Sequence, residues 1–158
     1  MKLDKIDLKL LREMQRDGRI TNLELADKVG LSPSPCARRV RQLEESGIID
    51  RTVTLLNPSR LGLKLIALIQ IAMDRHTPDR FEEFERQVAG YPEVVECSLI
   101  TGQSADYLLK VIVPDMEYYQ EFLLNKITRI KGVSDVHSSF IMRQVIQSTE
   151  LPLDHLTP

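Results

Sequence analysis

Residues 20–47 contain the pattern that most restricts how this chain can fold: two short helices separated by a tight turn. Thr21 and Glu24 have the spacing of a capping box, in which each side chain hydrogen-bonds to a backbone N–H in the first turn of a helix. Gly30 can take the positive φ that ends a helix, because it has no Cβ. The spacing therefore predicts a first short helix between Thr21 and Gly30.

The second helix of this pair is predicted to run from Ser32 to Gly47. Ser32 can cap it, and Pro33 suits its first position, where a missing N–H costs nothing. Apolar residues at helical spacing predict a buried face made of Cys36 or Ala37, Val40 and Leu43. The residues left facing outward are Ser34, Pro35, Arg38, Arg39, Arg41 and Gln42.

Two helices joined by a short glycine-containing turn, with arginines exposed on the second, are typical of a DNA-binding helix-turn-helix. Serine hydroxyls and N–H groups at the start of the second helix can hold a phosphate, and arginines can bind guanine edges or further phosphates. Arg41 can instead face Glu44 or Glu45, while Asn22 and Lys28 can touch phosphate or simply be hydrated. The predicted DNA-binding residues are Asn22, Ser32, Ser34, Pro35, Arg38, Arg39, Arg41 and Gln42. The alternative is a helical hairpin whose solvated face happens to be basic.

A further helix over Asp4–Arg16 precedes this pair, and the three helices together predict a small core. Ile49–Leu56 has the composition of an extended segment and predicts a short wing strand. The Asn-Pro pair that follows interrupts the strand and marks a hinge. We therefore assign residues 1–51 to a helix-turn-helix domain and residues 52–63 to the wing strand and linker.

The second half of the chain alternates between strand and helix patterns. Leu65–Met73 is apolar on both faces, as is expected of a strand covered on two sides. Further strands are predicted over Val94–Ile100, Asp106–Val113 and Val133–Ile146, and helices from Pro78 and from Pro114. The second of these helices is predicted to bury Met116, Tyr119, Leu123, Ile127 and Ile130. The order βαββαβ predicts an α+β fold, a ferredoxin-like sandwich over residues 64–147, with a C-terminal tail of residues 148–158.

One face of this sandwich is expected to need a partner. Two helices can cover only one face of a four-stranded sheet, and aliphatic residues on the other face would stay in water. A second copy of the chain is the simplest cover. A homodimer also suits a helix-turn-helix, because paired reading heads match DNA half-sites spaced about one helical turn apart.

The net charge of −2 is an average over two unlike halves. Residues 1–51 hold 11 Lys and Arg against 9 Asp and Glu, whereas residues 52–158 hold 10 against 14. The positive excess therefore belongs to the half with the helix-turn-helix, as DNA binding requires. Because the excess is small, the placement of the arginines matters more than the sum.

No pattern points to catalysis or to a metal. His76, His137 and His155 are scattered, and Cys36 and Cys97 are far apart, so a zinc site or a structural disulfide is not expected. Phosphate-binding glycine loops and nucleophile elbows do not occur. We therefore predict a protein that is not an enzyme and has no cofactor. An apolar run that could span a bilayer and a charged leader are also missing, which predicts a cytoplasmic protein.

Six stretches together resemble the leucine-responsive/asparagine regulator (Lrp/AsnC) family. They are Leu3-Asp4-Lys5-Ile6-Asp7, Leu31-Ser32-Pro33-Ser34-Pro35-Cys36, Asn57-Pro58, Thr101-Gly102, Asp106-Tyr107-Leu108-Leu109 and Val113-Pro114-Asp115-Met116. The likeness extends from about Leu3 to about Gln147. It implies a transcriptional regulator that binds double-stranded DNA, forms dimers gathered into octamers and responds to an amino-acid effector.

The loop between the two middle strands is the second candidate site. Gly102 allows a ligand to approach the backbone, Ser104 and loop N–H groups can hold a carboxylate, and Asp106 can pair with an ammonium. From spacing alone the segment is a strand-connecting turn, but the resemblance implies that effectors bind around this loop, where dimers meet. The predicted effector-binding residues are Thr101, Gly102, Gln103, Ser104, Asp106, Tyr107, Met116 and Ile141.

Two details of this site follow from the sequence. The segment from Gly102 to Asp106 is one residue longer than the usual family form, so its contacts are expected to differ. Met116, Ile141 and Met142 can line an apolar pocket, which favours leucine or methionine, or can belong to a core or interface. We therefore predict a transcriptional regulator that responds to an amino acid. The alternatives are an architectural DNA-binding protein with little effector control and a small-molecule-binding or catalytic protein whose helical domain does not touch DNA.

Overall fold

The chain folds into two compact units. A computed structural model describes residues 2–102 and 104–156. One unit contains the residues up to Leu55 together with those from Ile146 onward, and the other contains Leu56–Val145. Among the described residues, none of the helices is both long and apolar enough to cross a lipid bilayer.

Three helices build the first unit, and the cap residues set their limits. A capping box between Asp4 and Asp7 begins the first helix, and one between Thr21 and Glu24 begins the second. Gly30, at φ 76°, ends the second helix as predicted. The helices are α1 (Lys5–Arg16), α2 (Asn22–Val29) and α3 (Pro33–Glu45). The fully buried side chains of their shared core are Leu10, Cys36 and Leu43.

The C-terminal segment packs with this first unit. The side chain of Gln15 on α1 makes two hydrogen bonds with the backbone of Leu151, one from the Leu151 N–H to Oε1 at 2.6 Å and one from Nε2 to the Leu151 carbonyl at 3.2 Å. Leu153 packs against the helical core. We call residues 149–154 the C-terminal strap.

Two ion pairs also join the strap to α1. Arg12 lies 2.9 Å from Asp154, and Arg16 lies 3.5 Å from Glu150. An open pocket of about 480 Å³ is lined by α1, residues 48–55 and the strap, and most of its lining residues are apolar. The strap is therefore held by polar contacts and one apolar anchor beside this pocket.

The predicted wing strand differs from the structure. Residues 50–57 have no regular secondary structure. Extended backbone becomes a strand only where a second strand lies beside it to exchange hydrogen bonds, and the described sheet contains no strand from this region. A short 3₁₀ turn over Ser59–Leu61 follows the Asn-Pro pair.

The second unit is a four-stranded antiparallel sheet with two helices on one face. Its strands lie in the order β2-β3-β1-β4, and each neighbouring pair is antiparallel. The elements are β1 (Leu65–Met73), α4 (Pro78–Val88), β2 (Val94–Leu99), β3 (Tyr107–Val113), α5 (Met116–Asn125) and β4 (Val133–Phe140). This order and topology confirm the predicted βαββαβ sandwich.

Alternation along the strands separates the two faces of this sheet. Ala67, Ile69 and Ile71 of β1 are fully buried and share one core with residues of α4 and α5. The residues between them face the other way, as the two-residue period of a strand requires. We call this side the open face, and it includes Ile66, Leu68, Gln70 and Ala72 of β1 and Leu108, Lys110 and Ile112 of β3.

The helix α5 is shorter than predicted, and one residue of its predicted inner face is exposed. It ends at Asn125, and a 3₁₀ turn over Ile127–Arg129 carries the buried Ile127. Met116 was predicted on the inner face, but its side chain is 43% exposed, whereas Phe122 is buried. Tyr119, Ile127 and Ile130 are buried as predicted, and Leu123 packs against the core. Met116 differs because it is the first residue of α5, directly after the N-cap Asp115.

The last strand is also shorter than predicted. It ends at Phe140 rather than Ile146. One further hydrogen bond joins the Ile141 N–H to the carbonyl of Ile66 at 2.9 Å, and there β4 has almost reached Leu65, the first residue of β1. A strand cannot continue where its neighbour has ended, because its backbone groups have no partner in the sheet.

Candidate nucleic-acid interface and effector loop

The start of α3 presents exposed polar groups. Ser32 occupies the N-cap position as predicted, but its side chain makes no capping hydrogen bond. Ser34 is exposed and Pro35 is half-buried. The first-turn N–H groups of a helix and its positive end attract anions. The arrangement therefore suits a phosphate group.

Two predicted phosphate contacts on α2 are engaged within the unit. Nδ2 of Asn22 donates a hydrogen bond to the carbonyl of Pro33 at 2.9 Å, which joins the first turns of α2 and α3. Lys28 lies 2.8 Å from Glu13 of α1, and this hydrogen bond raises the pKa of Lys28. Asn22 and Lys28 are both exposed. Water and any approaching phosphate therefore compete with these contacts.

Three further candidates on α3 are exposed. Arg38, Arg41 and Gln42 face away from the buried Cys36 and Leu43. Guanidinium and amide groups in these positions can reach the edges of bases or phosphate oxygens. The structure therefore brings together an exposed row of donors along α3, with the serines at its beginning.

Arg39 differs from its neighbours and from the prediction that it faces outward. Its Nη1 lies 2.7 Å from Oδ2 of Asp4 and 2.8 Å from Oδ1 of Asp7, and its side chain is only 27% exposed. The N–H of Asp7, and then Arg39, lower the pKa of Asp4 by hydrogen bonding to its carboxylate. Helical spacing within α3 could not reveal this contact, because it depends on where α1 begins.

The loop between β2 and β3 is partly exposed. Thr101, Gly102 and Ser104 are all exposed, and Gln103 lies outside the described residues. Gly102 has φ 130°, which side chains with a Cβ rarely adopt. Its backbone can therefore be approached closely, as predicted for a ligand-binding loop.

Asp106 lies at the base of this loop and has a structural role. Its Oδ2 accepts a hydrogen bond from the N–H of Met73 at 2.7 Å, and its Oδ1 lies 2.8 Å from Nε2 of His76. These contacts tie the beginning of β3 to the end of β1. A carboxylate has lone pairs for additional donors, so an ammonium could still bind. The contact between His76 and Asp106 could not be predicted from spacing, because 30 residues separate the two.

Tyr107, which was predicted in the effector site, belongs to the core. It is 1% exposed, and its ring packs against Phe81 and Phe84. Its hydroxyl donates a hydrogen bond to Oε1 of Glu85 at 2.6 Å, and burial raises the pKa of this phenol. The period of β3 explains the difference, because Tyr107 and the buried Leu109 point to the same face.

Met116 and Ile141 lie at the opposite end of the sheet from the loop. β3 begins beside the loop and ends at Val113, three residues before Met116. Ile141 bonds to Ile66, which is paired with Ile112 near the same end of β3. Since seven strand residues span roughly 20 Å, the predicted effector residues form two separate groups within one chain.

Two protein-family models match successive parts of the chain. Residues 3–50 match a winged helix-turn-helix DNA-binding model, and residues 66–151 match the Lrp/AsnC ligand binding domain. The boundary between the matches falls between the helical unit and β1.

Several known proteins are similar over nearly the whole chain. The leucine-responsive regulatory protein of Escherichia coli (strain K12) is 45% identical over 149 residues, which are 94% of this chain and 90% of that protein. A transcriptional regulator from Neisseria meningitidis, solved as a complex with L-Met, is 42% identical with a TM-score of 0.94, and the match covers 98% of this chain and 99% of the other. An AsnC family transcriptional regulator from Agrobacterium tumefaciens is 40% identical with a TM-score of 0.91, covering 97% and 99%.

Proposed function

The chain belongs to the Lrp/AsnC family of transcriptional regulators, and we propose that its α3 contacts DNA while the loop between β2 and β3 takes part in binding an amino acid. The first unit is a helix-turn-helix DNA-binding domain, and the second is a ligand-binding domain. The family regulates transcription and does not catalyse a reaction.

The DNA contacts are proposed for the exposed row along α3. Ser32 and Ser34 hold a phosphate at the helix start, and Arg38 reaches a base edge or a second phosphate. Arg41 and Gln42 extend the row, and Pro35 contacts the DNA surface. The observation that carries this assignment is the exposure of these groups on one side of a helix whose other side is buried. Asn22 supports the row by its hydrogen bond to Pro33.

The salt dependence of binding tests the DNA contacts. DNA affinity falls with salt in proportion to the number of phosphates that the protein neutralises. We expect Arg38→Ala to weaken binding to a double-stranded site selected from a random-sequence pool, and a lost phosphate contact lowers the salt slope by about one. Arg86→Ala, which removes the same charge from an exposed position on α4, is the matched control. Equal affinities for both variants and the unaltered protein would refute the assignment.

A homodimer is proposed to form through the open face of the sheet. Ile66, Leu68 and Ile112 are half-buried within one chain and lie side by side on β1 and β3. Covering such a face with a second copy removes apolar surface from water. Dimers would then gather into an octamer, as the family resemblance implies.

The amino-acid site is proposed at a contact between dimers. The exposed loop supplies the backbone of Gly102, the hydroxyls of Thr101 and Ser104, and the carboxylate of Asp106 for the charged ends of an amino acid. Met116 and Ile141 are too far from this loop to serve it within one chain, so they would contribute from another copy. Leucine or methionine is the proposed effector. The N. meningitidis regulator was solved with L-Met, and the E. coli relative is named leucine-responsive.

Binding of the effector is proposed to shift the spacing of the DNA-binding units. A ligand changes an equilibrium only as far as it binds one arrangement better than another. An amino acid seated where two dimers meet satisfies this condition, because its contacts exist only in the assembled arrangement.

Thermal unfolding with each of the twenty amino acids tests the effector site. A ligand that binds only the folded state adds about 2.7 kcal/mol of stability at a hundredfold excess over its dissociation constant. We expect leucine or methionine to raise the unfolding midpoint, and Asp106→Asn to abolish that rise. The asparagine retains an acceptor for the Met73 N–H, and Glu82→Gln on exposed α4 is the control. No rise with any amino acid would refute the effector proposal and leave the DNA contacts untouched.

A further inference from the structure

Arg39 lies on the proposed DNA-reading helix, but its charge is directed to the beginning of α1. We propose that Arg39 is a positioning residue, which fixes the angle of α3 against α1 and affects DNA recognition only through that angle. The inference rests on the proposed role of α3 in contacting DNA. The role of Arg39 therefore differs from that of Arg38 and Arg41, although the sequence pattern predicts a DNA contact for all three.

The two carboxylates that face Arg39 are themselves held in place. Oδ1 of Asp4 accepts hydrogen bonds from the N–H groups of Ile6 and Asp7, both at 2.8 Å. Oδ2 of Asp7 accepts one from the N–H of Asp4 at 3.0 Å. The oxygens that remain, Oδ2 of Asp4 and Oδ1 of Asp7, are the ones that Arg39 contacts. The capping box of α1 therefore provides a rigid receptor for the guanidinium.

The charges at this site disfavour a direct phosphate contact. One guanidinium faces two carboxylates, so the cluster is negative even with Arg39 in place. The side chain of Asp7 is 8% exposed, which leaves little water to screen its charge. A phosphate that approached Arg39 would be repelled by both carboxylates and would have to displace contacts of 2.7 and 2.8 Å.

The position of Arg39 gives this contact influence over the reading row. Arg39 lies between Arg38 and Arg41 near the middle of α3, a helix of 13 residues. Such a helix is about 20 Å long, so a tilt of a few degrees moves its ends by roughly 1 Å. Displacements of that size weaken hydrogen bonds to base edges, whose distances and angles are narrowly defined. Attraction to DNA in general depends on charge and tolerates the same displacement.

The test compares two DNAs across a range of salt concentrations. The first is the duplex selected from a random pool by the unaltered protein, and the second is a scrambled duplex of the same composition. Affinities are measured at a temperature where circular dichroism shows every variant to be folded, so that lost stability does not enter the comparison. We expect Arg39→Met to lose about tenfold in affinity for the selected duplex, the cost of one poorly made base contact. Its affinity for the scrambled duplex and its salt slope should stay unchanged.

Two further variants make the outcome specific. Asp7→Asn is expected to reproduce part of the effect of Arg39→Met, because the contact between Arg39 and Asp4 remains, and it does so although Asp7 is buried on α1 and carries the wrong charge for DNA. The double variant should lose no more than Arg39→Met alone, because that variant already removes both contacts. Arg39→Lys should recover part of the selected-site affinity. Lys9→Met, which removes a positive charge from an exposed position on α1, controls for the change in net charge.

Other outcomes would overturn the inference in recognisable ways. A salt slope lowered by about one, with weaker binding of both duplexes, would make Arg39 a phosphate contact. Unchanged affinity for both duplexes would make it a stabilising residue with no influence on recognition. Failure of the proposed DNA contacts looks different, because Arg38→Ala would then also bind both duplexes normally.

Discussion

The ammonium group of Lys126 lies 2.6 Å from Oε1 of Glu93 and joins the end of α5 to the turn before β2. The hydroxyl of Tyr118 donates to the same oxygen at 3.0 Å. Glu93 is 6% exposed, and its Oε2 is buried without a hydrogen-bond partner among the described residues. Lys126 therefore compensates a charge that the interior of this unit would otherwise hold at high cost.

Removal of Lys126 should destabilise the second unit. A buried carboxylate that loses its cation typically costs 3–5 kcal/mol, but Lys126 is 39% exposed and water screens part of the pair. We therefore expect Lys126→Met to lower the free energy of unfolding by about 2 kcal/mol, measured with urea. Adding Glu93→Gln to this variant should recover part of the loss. A double variant less stable than Lys126→Met would contradict the explanation.

The same pair makes stability depend on acid pH. Burial alone would raise the pKa of Glu93, but hydrogen bonds from Lys126, from its own backbone N–H and from Tyr118 outweigh it and lower the pKa from its ordinary 4.5. A carboxyl group with a depressed folded pKa stabilises the protein above its unfolded pKa, and this contribution is lost as pH falls through the folded value. We expect the thermal midpoint to fall more steeply below about pH 4.5 in the unaltered protein than in Glu93→Gln. Parallel profiles would show that the pair does not titrate with unfolding.

Tyr107 should behave as a core residue and not as part of the effector site. Tyr107→Phe removes one hydrogen bond to an exposed carboxylate, so we expect a loss of about 1 kcal/mol in urea unfolding. Tyr107→Ala leaves a cavity beside Phe84 and should lose about 4 kcal/mol. The rise in midpoint caused by the amino acid should be the same in Tyr107→Phe as in the unaltered protein. A smaller rise would return Tyr107 to the effector site.

These contrasts show what the sequence could reveal. Thr21, Glu24 and Gly30 set the limits of α2 through contacts within a few residues, so their pattern predicted the helix correctly. The contacts of Arg39 with Asp7 and of Asp106 with His76 join elements more than 25 residues apart. A pattern of spacing does not carry that information, because it depends on how separate elements pack. Arg39 and Tyr107 differ from the prediction for two reasons. The partners of Arg39 come from α1, whereas the two-residue period of β3 already places Tyr107 on the same face as the buried Leu109.

The open face offers a test of the proposed dimer. Leu68 lies at the middle of β1, on the face opposite to the helices. Leu68→Glu would place a charge in the proposed interface, where desolvation and repulsion from its symmetry mate oppose pairing. We expect light scattering to give a smaller assembly than for the unaltered protein. Leu124→Glu, at a 59% exposed position on α5, serves as the comparison. An unchanged mass for Leu68→Glu would exclude this face.

The strap should stabilise the helical unit through its apolar anchor. Leu153 is half-buried and packs against the core of the three helices. We expect Leu153→Ala to lower the free energy of unfolding by about 1 kcal/mol, less than for a fully buried leucine. Leu156→Ala should have little effect, because Leu156 is exposed. Limited proteolysis offers a second measurement. We expect the C-terminal segment to be cleaved faster in Leu153→Ala than in the unaltered protein. Equal cleavage rates would show that Leu153 does not anchor the strap.

The return of the strap to α1 means that the chain enters the helical unit twice. Residues 50–57 contain the first crossing between the units, and they are exposed and without regular structure, so they offer a protease an accessible site. A single cut there would produce two polypeptides, one with the three helices and one with the sandwich and the strap. The hydrogen bonds between Gln15 and Leu151 and the docking of Leu153 would then act between separate molecules. The two fragments of the nicked protein would stay associated through these contacts. A helical fragment expressed alone would lack the strap that packs against α1.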